Sequence, residues 1–112
     1  MDTKHFKSKI APFFWVNHED QFSVCLSTGE YKQELFETRE EENGYDWCAL
    51  AKAFLKEYMP ELKATIHHDP EAGMYCAYAT DADALRDFIL TFREICDNDS
   101  LIKDLFLRVE IE

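Results

Sequence analysis

Glycine and proline are scarce, with three of each in 112 residues. That leaves no glycine-rich loop to cradle a phosphate and no low-complexity or proline-rich tract. Lysine and arginine are also in short supply: 12 against 23 acidic residues, for a formal net charge of −11. Such a chain repels phosphate backbones and anionic lipid at long range, which argues against nucleic acid and membrane surfaces as partners. No apolar run approaches the roughly 20 residues that cross a bilayer. The run over residues 10–16 contains Pro12 and stops at Asn17, His18, Glu19 and Asp20, too short for the core of a secretory leader. Cys25, Cys48, Cys76 and Cys96 form no Cys-x-x-Cys pair, and each sits in an apolar pattern. Free buried thiols in a reduced, cytoplasmic protein are expected, two disulfides being the alternative.

What the chain does hold is apolar surface. Hydrophobic residues make up 46% and aromatics 14%, enough for one core and one domain over residues 1–112. Residues 11–16 read as a short strand. Residues 21–28 read as a half-buried one, because Phe22, Val24 and Leu26 alternate with Ser23, Cys25 and Ser27. Residues 31–38 lean to strand, and residues 37–44 form a charged loop. Trp47, Leu50, Ala51, Phe54, Leu55 and Tyr58 then fall on one helical face, with Asp46 or Asn43 as cap and Pro60 as stop. Strands over 64–68 and 74–79 flank a turn at 69–73, where Pro70 comes early and Gly73 closes in a left-handed conformation. Thr80 or Asp81 caps a second helix whose apolar face runs Leu85, Phe88, Ile89, Phe92, Ile95 and Cys96. Asn98, Asp99 and Ser100 break and re-cap the chain. Residues 101–111 fit helix or strand, and a short helix with a frayed or extended end is expected. The whole predicts an α+β fold: a mainly antiparallel sheet with two long amphipathic helices and a short C-terminal helix packed on one face.

Little in the sequence speaks for catalysis. His67 and His68 are adjacent on a strand and so face opposite ways, and no third ligand stands at a metal spacing. Cys48, near a helix N-terminus, could have a lowered pKa, but nothing couples it to His5, His18, His67 or His68. No nucleophile elbow and no zinc-protease helix occurs. The reading is a non-enzyme without cofactor or metal. The acidic run Glu40, Glu41 and Glu42, with Glu37 before it and Asp46 after it, is either a solvated loop or a docking surface for a basic partner. Tyr45, just outside the apolar stripe, is the candidate anchor; Trp47 belongs to the core.

Two segments carry a family resemblance. The run Glu42, Asn43, Gly44, Tyr45, Asp46, Trp47 opens an amphipathic helix. The later run Asp69, Pro70, Glu71, Ala72, Gly73, Met74 leads into an aromatic strand and a helix. Together, over residues 20–106, they resemble the immunity protein 51 family of bacterial polymorphic toxin systems. The resemblance implies an α+β, cytoplasmic immunity protein that binds and neutralises a cognate toxin. In that family reading Asn43 and Gly44 supply a turn tolerant of positive φ, Trp47 plugs the helix into the core, and Asp69, Pro70 and Gly73 fix a hairpin. Two other classes stay open: a small acidic regulatory or structural binding module with no toxin partner, and an enzyme using Cys48 or His67. Oligomeric state is not legible in the sequence.

Overall fold

The computed structural model describes residues 3–29, 31 and 44–111. Helix α1 (Thr3–Ile10) precedes the hairpin of β1 (Phe14–Asn17) and β2 (Phe22–Ser27). Helix α2 (Gly44–Tyr58) is followed by a 3-10 turn at Pro60–Leu62. The second hairpin, β3 (His67–Glu71) and β4 (Met74–Ala79), leads into α3 (Ala82–Asp97) and α4 (Asp99–Ile111). The strands form one antiparallel sheet in the order β1-β2-β4-β3, so each hairpin supplies one central strand and one edge. This is the α+β class expected.

Register fixes which side chains meet the helices. Val24 lies opposite Trp15 on one side and Ala77 on the other, Leu26 opposite Tyr75, and His68 opposite Ala77. These residues share the face on which α2 and α3 pack, while α4 lies across both helices. Trp47, Leu50, Ala51, Phe54 and Leu55 of α2 are buried, as are Leu85, Phe88, Ile89, Phe92 and Cys96 of α3. Their rings interlock at the centre, with Phe54 and Phe92 5.0 Å apart and Phe92 edge-on to Trp47 at 6.2 Å. Caps behave as the side chains dictate. Asp81 accepts a hydrogen bond from the Ala84 N–H at 3.1 Å, and Asn98 accepts one from Leu101 N–H at 3.1 Å to start α4.

The sequence reading differs from the structure at five places. Residues 3–10 form a helix that hydrophobic periodicity does not flag, because Phe6 and Ile10 are the only core residues its eight positions offer. The first strand accordingly begins at Phe14 instead of residue 11. The second hairpin turns at Ala72 and Gly73 alone: Asp69, Pro70 and Glu71 are strand residues paired with Cys76, Tyr75 and Met74. Proline fits there because β3 is an edge strand, where one row of backbone groups has no strand partner. The left-handed glycine is Gly29, at φ 100°, instead of Gly73. The last helix continues to Ile111 with no extended end. The expected strand at 31–38 lies outside the described residues except for Tyr31, which stacks on Trp47 at 5.6 Å.

Gly44 is required for a different reason from the one its neighbour Asn43 suggests. It is the first residue of α2, and its N–H points to the Ala72 carbonyl at 3.4 Å. A Cβ at Gly44 would overlap the carbonyl oxygens of Glu71 and Met74 and lie 2.7 Å from the Met74 carbonyl carbon. Close approach of the helix start to the β3–β4 turn, and not positive φ, selects glycine.

Candidate functional site

The sheet has a second face. Phe14 and Val16, Ser23 and Cys25, Cys76 and Tyr78, and His67, Asp69 and Glu71 alternate away from the helices. Among the described residues this face stays open, with Phe14 41% exposed. A shallow cavity of about 500 Å³ occupies its middle, lined by Val16, His18, Ser23, Cys25, Asp69 and Tyr78 among others. Ser23 is buried there and shares a 3.0 Å hydrogen bond with His18 Nε2. His67 stacks on Tyr78 directly across the strands, with ring centroids 5.3 Å apart.

The charge on this face is one-sided. The four strands read Phe-Trp-Val-Asn, Phe-Ser-Val-Cys-Leu-Ser, His-His-Asp-Pro-Glu and Met-Tyr-Cys-Ala-Tyr-Ala, without a lysine or an arginine. Asp69 and Glu71 are exposed on it, and Glu19 and Asp20 are exposed in the β1–β2 turn. The result is an aromatic and apolar strip bordered by carboxylates. A surface of that kind can take up basic and apolar side chains of another protein.

The residues expected to bind a partner are only partly in view. Glu37, Glu40, Glu41, Glu42 and Asn43 lie outside the described residues. Tyr45 is 60% exposed at the start of α2, and Asp46 is half-buried in the same turn. Both sit beside the β3–β4 turn, since Gly44 is hydrogen-bonded to Ala72. Trp47 is wholly buried. Asp69 lies on the open face, a position the five-residue turn had hidden.

Cys48 and Cys96 are packed in the core, whereas Cys25 and Cys76 lie on the open sheet face. Cys25 and Cys76 face each other across β2 and β4 as free thiols, and burial, with the neighbouring Cys76, pushes Cys25 up to about 12. Burial also raises Cys48 above its ordinary value, and Lys52 only partly opposes that. The helix N-terminus therefore does not make Cys48 a thiolate. Among the described residues no group of three or more His, Cys, Asp or Glu could hold a metal ion. No described helix is long and apolar enough to cross a membrane.

His67 and His68 point to opposite faces, as adjacent strand residues must. His67 is exposed, whereas His68 is half-buried under α2, its Nδ1 2.8 Å from the hydroxyl of the fully buried Tyr75. Burial, with Lys52 and His67 adding to it, lowers His68 to about 4 from 6.5. The unfolded chain therefore binds this proton first as pH falls, so stability from the neutral ring is full above about pH 6.5 and is lost towards pH 4. Urea unfolding at about pH 7 and about pH 4.5 should show wild type losing more stability than His68→Gln over that window.

Residues 13–111 match the family model described as immunity protein 51. No curated protein and no solved structure matches the chain.

Proposed function

This chain belongs to the immunity protein 51 family, and from that premise we propose that it binds a cognate bacterial toxin domain in a 1:1 complex and blocks it. The observation that carries this reading is the family match over nearly the whole length of the chain. The reading places the protein in the bacterial cytoplasm, beside a polymorphic toxin whose gene is its neighbour. It needs no catalytic group and no cofactor, because a blocker works by occupying its target.

The contact surface we assign is acidic. Its proposed members are the run Glu37, Glu40, Glu41 and Glu42, with Tyr45 and Asp46, continued by Asp69 and Glu71 on the open sheet face. The net charge of −11 and strands devoid of lysine and arginine support a basic toxin surface as the target, such as a cleft that holds phosphates. Tyr45 supplies an exposed ring with a polar tip, a side chain suited to an interface anchor.

Co-expression with the toxin domain encoded next to it should yield a co-purifying complex and protect cells from the toxin. Association should slow by about ten-fold or more between low and high salt, while dissociation changes little. Asp69→Lys combined with Glu71→Lys should slow association further at low salt. No complex and no protection would refute the function. A salt-independent association rate would refute the acidic surface while leaving the function standing.

A further inference from the structure

The basic side chains of this acidic protein are not spread evenly. Three of twelve, Lys52, Lys56 and Lys63, converge on one groove of about 480 Å³ on the helix side of the sheet, opposite the open face. Lys52 and Lys56 lie one turn apart on α2, so both project along the same flank of that helix. Lys63 comes from the segment after the 3-10 turn. Ala53, Leu55 and Val109 give the groove an apolar wall shared between α2 and α4. His68 closes it from the edge strand, with Nδ1 engaged by Tyr75.

We propose that this groove is a binding site for a small amphipathic carboxylate, whose apolar body lies along Ala53, Leu55 and Val109 and whose anionic head is held by Lys52, Lys56 and Lys63. Charge complementarity decides the occupant. A chain of net charge −11 repels anions over most of its surface, and here three lysines line one partly apolar recess. Lys52 stands close enough to His68, which lines the groove with it, for the ammonium charge to disfavour protonation of that ring. The volume lies within the range that encloses a small ligand. An apolar wall with a few convergent polar groups is the usual make-up of such a site. The 2.8 Å contact between Nδ1 and the Tyr75 hydroxyl holds the His68 ring at the edge of the groove. None of the residues lining the groove belongs to the surface assigned above to toxin contact.

Titration of the full chain with decanoate, followed by amide NMR, tests this. Saturable shifts confined to residues around Ala49, Lys52, Ala53, Lys63 and Val109 are expected. The exposed pair Lys52→Gln and Lys63→Gln should weaken binding by about ten-fold or more, with the melting temperature checked to show that the fold persists. Decan-1-ol, which matches the chain length without the charge, should bind at least about ten-fold more weakly. Equal binding of the alcohol, an unweakened double variant, or shifts scattered over other faces would overturn the proposal. So would a tetraglutamate peptide that shifts the groove residues where decanoate does not, because the groove would then belong to an acidic protein partner.

Discussion

Gly44→Ala should destabilise the protein by about 3 kcal/mol or more, the upper range of overpacking effects. Helix propensity alone predicts the opposite sign, since alanine is favoured over glycine in a helix by about 1 kcal/mol. Geometry wins because the atoms in the way are backbone. An added methyl group at Gly44 overlaps the Glu71 and Met74 carbonyl oxygens and stands 2.7 Å from the Met74 carbonyl carbon. Carbon atoms at their optimal separation are about 3.5–4.0 Å apart. Relief requires moving the start of α2 away from the β3–β4 turn, which breaks the Gly44–Ala72 hydrogen bond and loosens Trp47 three residues on. Urea unfolding of the purified variant measures the effect. A midpoint equal to or above that of wild type would mean that α2 does not approach the turn this closely.

Trp47→Ala should cost about 3–5 kcal/mol. The indole is fully buried where three elements meet. Tyr31 stacks on it at 5.6 Å, Phe13 meets it edge-on at 6.0 Å and Phe92 edge-on at 6.2 Å. Truncation removes the indole's apolar burial and opens a cavity that rings from α3 and the α1–β1 connection cannot fill together. Because a domain of this size holds only about 5–15 kcal/mol in total, the variant sits near the folding threshold. Trp47→Phe keeps a ring in the site and should lose less, so the ordering of the two variants by denaturant midpoint tests the mechanism even if Trp47→Ala fails to fold. The Phe92→Leu cycle with Trp47→Leu, each of which removes its ring, should give a coupling of about 0.5–1.5 kcal/mol, as expected for an aromatic pair in contact.

Surface ion pairs contribute far less. Arg108 joins Glu57 of α2 to Asp104 of its own helix, and Arg93 reaches Asp97 together with the Ala11 carbonyl at 2.8 Å. The three carboxylate partners, Glu57, Asp97 and Asp104, are solvent-accessible, and such pairs are worth about 0–1 kcal/mol. The Arg93 contact matters more for position: it ties α3 to the turn after α1 while its guanidinium lies 5.2 Å from the centre of the Tyr31 ring.

The long helices were legible from sequence alone because each buries one continuous stripe. Trp47 through Leu55 and Leu85 through Cys96 repeat at helical spacing, and proline at 60 and asparagine at 98 end the pattern where the chain departs from it. Strand β2 was legible for the parallel reason, an alternation of period 2. The composition by itself also set the sign of the surface and removed the catalytic motifs. Helix α1 was not legible, since two buried side chains in eight residues are too few to define a period; its place comes from Phe6 packing edge-on against Trp15 at 5.5 Å, a contact across the fold. The hairpin turn was misplaced because Asp-Pro and Ala-Gly are both turn signals, and only pairing of Pro70 with Tyr75 decides between them. Nor could the sequence say that Gly44 is forced by carbonyls about 30 residues away, that burial raises the Cys48 thiol despite its place near a helix start, or that Lys63 joins Lys52 and Lys56 at one groove. Local pattern encodes which faces are apolar; only the docking of those faces brings distant backbone and charge within reach of one another.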